Sequence, residues 1–259
     1  MSQDQTRFIE FKSEKTVPRR IAYLSSDGQD DKPGVFWLSG FKSNMRSLKV
    51  TALAEWCVEK NYRFCRFDYS GHGESDGAFE DGTISQWLEE ALYVFEQKTS
   101  GKQVLVGSSM GGWIGLLLLR ALADKLADRI AGAVFIAPAW DMTETLMWER
   151  FPEEVREEME RTGRFLRPSQ YDSEPQIISK GLIEDGRQYL LRDEKVRIGC
   201  PIRIIHGLRD PDVPWQHSRK LIEHLQDEDM VLTLVKDGEH RLSREQDIRR
   251  LISEIAQFY

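Results

Sequence analysis

An α/β fold, with a mostly parallel central sheet and helices on both faces, is predicted by three features of the sequence. Short, almost wholly apolar runs recur, among them Val35-Phe36-Trp37-Leu38 and Val104-Leu105-Val106. They alternate with amphipathic helical stretches, the pattern of strands buried on both sides and linked by crossover helices. The loops richest in chemistry all follow the carboxyl ends of these runs, where open α/β sheets bind their ligands.

In chain order, residues 8–11 and 20–24 read as an antiparallel edge, followed by a polar loop at 25–33 and the buried strand 35–38. Residues 47–60 have helical periodicity through Leu48, Leu53, Trp56 and Val58. Strand 64–67 and helix 84–97 follow, the helix turning Trp87, Leu88, Leu92 and Phe95 inward. Strand 104–106 leads into helix 113–126. Strands are expected at 132–137, 201–206 and 230–235, and a closing helix at 244–259. Residues 139–197 break this rhythm, with no obvious strand and a composition rich in Met, Trp, Glu and Arg. Pro152 suits the first turn of a helix, Gly163 suits its end, and Phe151, Val155 and Met159 form a stripe between them. The expectation is a single domain over residues 1–259, with 139–197 inserted as a helical cap.

Composition narrows the function. The chain has 259 residues and a net charge of −7 with both signs interspersed, which argues against a nucleic-acid surface. Cys57, Cys65 and Cys200 are widely spaced and odd in number, so they read as reduced thiols rather than a disulfide framework or a zinc site. The longest apolar run ends at Arg120, too short for stable membrane insertion. A cytoplasmic location is expected, or the mitochondrial matrix for a processed eukaryotic chain. The oligomeric state is not readable from the sequence.

The chemistry centres on Gly107-Ser108-Ser109-Met110-Gly111, a Gly-x-Ser-x-Gly turn between a strand and a helix. This is the pattern of a nucleophile elbow, which exposes a serine hydroxyl on a strained turn. A serine nucleophile needs a base, and the base needs an orienting carboxylate. Of five histidines, His206 is expected to shape the turn after its strand, and His72 belongs to a glycine turn. His217 and His224 lie in a polar helical region and are expected to be solvated. His240, directly after the last strand, is the best base. Asp210 and Asp212 both qualify as the acid by position. Backbone N–H groups of Met110 and Phe41 are the candidate oxyanion donors. Trp113, Trp140, Met142, Leu146, Met147, Trp148 and Phe151 are candidates to line an apolar acyl pocket. No metal or organic cofactor is called for. With a histidine base, activity should decline below about pH 6 to 7.

Several segments together carry a resemblance that covers nearly the whole chain. They are Asp68-Tyr69-Ser70-Gly71-His72-Gly73-Glu74-Ser75, the Gly-Ser-Ser-Met-Gly-Gly-Trp elbow, the stretch from His206 to Trp215, and Glu239-His240-Arg241. The sequence resembles serine hydrolases of the α/β-hydrolase fold. Within them it is most similar to the mitochondrial palmitoyl-protein thioesterases, also known as mycophenolic acid acyl-glucuronide esterases, and their bacterial relatives. The resemblance implies Ser109 as nucleophile, Asp210 as acid and His240 as base, in the chain order of this fold. It implies cleavage of carboxylic esters or thioesters on a small molecule or an acylated protein. Two departures stand out: Ser39 replaces a histidine often found before the oxyanion glycine, and Pro211 follows the acid, leaving Asp212 as a rival. Carbon–carbon bond hydrolysis, acyl transfer and a non-catalytic small-molecule receptor are the alternatives on the same fold.

Overall fold

The computed structural model describes residues 5–13, 16–123, 127–167 and 176–259. Strands β1 (Arg7–Ser13) and β2 (Thr16–Ser26) form an antiparallel pair at one edge. Then come β3 (Gly34–Leu38), α1 (Leu48–Glu59), β4 (Phe64–Phe67), α2 (Ile84–Lys98), β5 (Gln103–Ser108) and α3 (Met110–Leu122). The expected end of α3 at Leu126 lies outside the described residues. After β6 (Ile130–Ile136) the chain forms a π turn (Thr143–Met147), α4 (Glu153–Thr162), β7 (Arg164–Arg167), β8 (Gln176–Ser179) and α5 (Lys180–Gly186). It closes with β9 (Ile202–Gly207), α6 (Trp215–His224), β10 (Met230–Val235) and α7 (Glu245–Ala256).

Among the described residues the main sheet has eight strands, in the order β1-β2-β4-β3-β5-β6-β9-β10. It is parallel from β4 to β10, while β1 and β2 join antiparallel. The strand period of two divides its side chains between two cores. Val35, Trp37, Val104 and Val106 face Val50 and Leu53 of α1 and Leu251 and Ile255 of α7. Phe36, Leu38 and Leu105 face Trp87 and Phe95 of α2, Ile114 of α3 and Leu221 of α6. Both faces are covered, so the central strands can be apolar at every position. Each such side chain contributes about 1.5–3 kcal/mol through burial.

Three expectations need correction. The segment between β6 and β9 does contain strands: β7 and β8 pair antiparallel, apart from the main sheet. Arg164-Phe165-Leu166-Arg167 is short and charged at both ends, and Leu166 is exposed, so no apolar run marks it. Helix α1 buries Lys49, Val50, Leu53 and Cys57, whereas Leu48 is 66% exposed and Val58 also faces outward. Of the expected stripe, Leu53 is buried and Trp56 packs partly buried at its margin, while Lys49, Val50 and Cys57 complete the inward face. Finally, His217 is buried and its Nε2–H donates to the Trp140 backbone oxygen at 2.7 Å. His224 is part-buried and bonds the Leu191 oxygen at 2.7 Å. The Trp140 ring stacks on both imidazoles. Polar neighbours in the sequence concealed the one face of α6 that packs inward.

Candidate active site

The sheet ends abruptly at Ser108, and α3 starts at Met110, so Ser109 must turn the chain within one residue. It does so at φ 55° and ψ −118°, a region that typically costs a non-glycine residue about 1–3 kcal/mol. Three backbone bonds hold the turn: Ser109 N–H to Ile136 O at 2.8 Å, and Ser109 O accepting from Gly112 at 2.9 Å and Ala139 at 3.0 Å. The glycines on either side are sterically required. A Cβ on Gly107 would lie 2.3 Å from the Gly111 oxygen, and one on Gly111 would lie 2.1 Å from the Leu38 oxygen. Helix α3 can pack onto β3 and β5 only because neither position carries a side chain.

β9 and β10 are parallel neighbours, so the loops that follow them lie side by side. This brings Asp210 and His240 together. His240 Nδ1–H donates to Asp210 Oδ2 at 2.7 Å, which leaves Nε2 to accept from Ser109 Oγ at 3.1 Å. Asp210 Oδ1 accepts from the backbone N–H groups of Asp212 at 2.9 Å and Val213 at 2.8 Å. The sequence left Asp210 and Asp212 as rivals; the contact to His240 Nδ1 is made by Asp210, to which Asp212 lends its backbone. Buried His206 adds a second imidazole, with Nε2–H pointing at the Val213 oxygen at 2.8 Å and at Asp210 Oδ2 at 3.2 Å. Burial alone would raise the Asp210 pKa. Hydrogen bonds from His206 and His240, the charge of His240 and the Val213 N–H outweigh it and hold the carboxyl well below the usual range. Asp210, Asp212 and His240 are also near enough together to suggest cation ligands, but both His240 nitrogens already face Asp210 and Ser109.

The loop after β3 passes against Ser109: a Cβ on Gly40 would stand 3.3 Å from Ser109 Cβ. Phe41, the next residue, packs its ring edge-on against Phe79. Met110 opens α3, where first-turn N–H groups have no partner within the helix. Ser39, in place of the histidine, accepts from Trp37 Nε1 at 3.1 Å. The loop is pinned from behind by His72, whose Nε2 accepts the Lys42 N–H at 3.1 Å while Nδ1–H donates to the Ser70 oxygen. Burial, only partly offset by the Ser70 bond, lowers the His72 pKa to about 4.

A family profile described as serine aminopeptidase, S33, matches residues 30–181, more than half of the chain. The chain belongs to that hydrolase family. The mitochondrial palmitoyl-protein thioesterase ABHD10 of Mus musculus is 33% identical over 252 residues, which cover 97% of this chain and 82% of the relative. Its Homo sapiens counterpart is 31% identical over 97% and 80%. Among solved structures, a protein of Agrobacterium vitis S4 described as a hydrolase superposes with a TM-score of 0.93 at 43% identity, covering 98% of both chains. Mouse ABHD10 gives 0.85 at 30% identity, covering 97% of both. The fold of this family member is thus the α/β-hydrolase fold.

In this hydrolase Ser109 and His240 lie in a cleft of about 530 Å³. Phe41, Met142, Leu146, Met147 and Val213 form apolar parts of its wall, and Arg167 and Gln176 reach it from β7 and β8. Of the expected pocket residues, Met142, Leu146 and Met147 therefore lie on the cleft, but the three tryptophans and Phe151 do not. Trp113 is wholly buried among the core side chains of α3. Trp140 is committed to α6, donating from Nε1 to the His217 oxygen at 3.0 Å. Trp148 faces another way, beneath the guanidinium groups of Arg187 and Arg156. Large aromatic surface near the elbow was as suitable for the core as for the cleft, and the core took it. Among the described residues no helix is long and apolar enough to cross a membrane.

The buried histidines make a testable contribution to acid stability. Burial lowers both His72 and His217 from 6.5 to about 4. Between those values the unfolded chain binds their protons and the folded chain does not. Stability therefore falls as pH falls through this window, by up to about 1.4 kcal/mol per pH unit for each group. Buried Asp141 acts oppositely: its pKa is raised from 3.8 to about 6, so it takes its proton first in the folded state. About one proton of net uptake on unfolding remains from these three groups. His72→Gln, which keeps an acceptor for Lys42, should flatten the decline in urea-derived stability between about pH 6.5 and 4.5. An unchanged slope would assign the acid sensitivity elsewhere.

Proposed function

We propose that this protein hydrolyses acyl thioesters and carboxylic esters through an acyl-enzyme on Ser109. His240 Nε2 removes the Ser109 proton as Oγ attacks the acyl carbonyl, and Asp210 stabilises the imidazolium that forms. Backbone N–H groups of Met110 and Phe41 receive the oxyanion. The imidazolium then protonates the departing thiolate or alkoxide. Water, activated by the same nitrogen, releases the acid and restores Ser109. The observation that carries this reading is the continuous path from Ser109 Oγ through His240 to Asp210, at 3.1 and 2.7 Å, on the wall of a cleft.

The apolar wall formed by Met142, Leu146, Met147 and Val213 suits an acyl chain, with the segment between β6 and β9 acting as a cap over it. Similarity to ABHD10, named a palmitoyl-protein thioesterase, supports the thioester part of this reading. Aminopeptidase action, suggested by the family's description, would need acidic groups to bind a substrate ammonium. The cleft wall instead carries Lys42, Lys49, Arg167 and Arg241 against Asp212. The test pairs a fluorophosphonate probe with a panel of matched esters and thioesters, from short acyl groups to palmitoyl. Stoichiometric labelling of Ser109 and turnover that depends on chain length are expected. Folded protein that neither labels nor turns over any of the panel would defeat the proposal.

A further inference from the structure

Lys49, at the start of α1, is only 7% exposed although it contributes to the cleft wall. Its Nζ donates to the backbone oxygen of Arg241 at 2.5 Å and to Ser108 Oγ at 3.1 Å. Arg241 directly follows His240, and Ser108 directly precedes Ser109. One ammonium thus ties the loop of the base to the strand of the nucleophile and fastens both to α1. The other buried residues of that helix, Val50, Leu53 and Cys57, are apolar. A lysine among them carries a desolvation cost that a methionine would avoid.

We propose that Lys49 is a positioning residue for hydrolysis, its ammonium holding the His240 loop against the end of the Ser109 strand. This inference rests on the reading of Ser109, His240 and Asp210 as the catalytic set. The Ser109–His240 hydrogen bond joins two segments 131 residues apart in sequence. Its geometry depends on whatever ties those segments together, and a shift of about 1 Å can cost 10²-fold in rate.

The charged groups around Lys49 come from three elements. Asp247 on α7 and Asp210 after β9 attract it, while Arg241 after β10 repels it. Asp247 is itself paired with Arg244 and Arg250. Burial outweighs the two carboxylates and lowers the Lys49 pKa to about 8. Below that pH both of its hydrogen bonds are charge-assisted; above it a neutral amine makes weaker ones.

The test compares Lys49→Met and Lys49→Arg with the wild type on a p-nitrophenyl ester, following kcat and KM from about pH 5 to 10. Lys49→Met should lower kcat by about 10- to 100-fold, with KM changed by less than about threefold. It should also lack the wild-type decline above about pH 8. Lys49→Arg should recover most of kcat. Thermal unfolding establishes that each variant is folded, and Lys49→Gln replaces the methionine variant if that one does not fold. Unchanged kcat in a folded variant would overturn the proposal. So would a loss of kcat with the alkaline limb unmoved and no rescue by arginine, the signature of a merely structural residue. Fluorophosphonate labelling of the wild type separates the two levels of the argument. An unlabelled Ser109 removes the catalytic reading itself, whereas a labelled wild type with unaltered Lys49 variants removes only the role of Lys49.

Discussion

Ser109→Ala is expected to lower kcat by roughly 10⁶-fold, the scale on which loss of a nucleophilic serine is felt in a triad enzyme. In the proposed mechanism the acyl bond forms on Oγ, and His240 Nε2 has that hydroxyl as its partner at 3.1 Å. The fold should tolerate the change. Alanine occupies the same φ of 55° with less bulk, and the backbone bonds from Gly112 and Ala139 do not involve the side chain. His240 is part-exposed, so water can take the place of the lost hydroxyl at Nε2. Substrate affinity should survive, because the apolar cleft wall remains. The measurements are steady-state turnover on one ester and one thioester, fluorophosphonate labelling, and thermal unfolding of both proteins. Turnover within about tenfold of wild type would assign the chemistry to another group. His240→Ala should be nearly as damaging, and adding it to Ser109→Ala should cost little more, since the two act as one unit.

The parts of this molecule that could be read from its sequence are those where local pattern and tertiary demand coincide. Strands β3, β5 and β6 are buried on both faces, so nearly every residue in them is apolar and the runs are visible. The elbow is equally legible, because Gly107 and Gly111 have no room for side chains. His240 could be selected because it follows the last strand, a position that only the parallel order of β9 and β10 turns into proximity. Legibility failed where a residue's role depends on what lies opposite it. Asp210 and Asp212 are two residues apart in one loop, and only the direction of His240 Nδ1 separates them. Trp113 and Met142 are both large, apolar and near the elbow, yet one fills the core and the other the cleft. Lys49 left one faint sign: with Leu53 and Cys57 it makes an i, i+4, i+8 row, so a charge stands within an otherwise apolar face.

Asp210→Asn should cost about 10⁴-fold in kcat while leaving the fold in place, by a route that the surrounding hydrogen bonds dictate. The backbone N–H groups of Asp212 and Val213 both point at Oδ1 and require an oxygen there. An asparagine must therefore set its carbonyl toward them and its NH₂ toward His240. That NH₂ can only donate, so His240 Nδ1 has to accept, and the imidazole proton moves to Nε2. Ser109 Oγ then meets a donor where it needs a base. The same NH₂ also faces the Nε2–H of His206, which loses an acceptor on that side. Asp212→Asn should cost less than about tenfold, because its backbone N–H to Asp210 is kept and no tautomer changes. The two variants, assayed for kcat on the same thioester and checked for folding by circular dichroism, form a direct contrast. A large loss in Asp212→Asn with a small one in Asp210→Asn would transfer the acid to Asp212. A large loss in Asp210→Asn alone is the outcome that the position of His240 predicts.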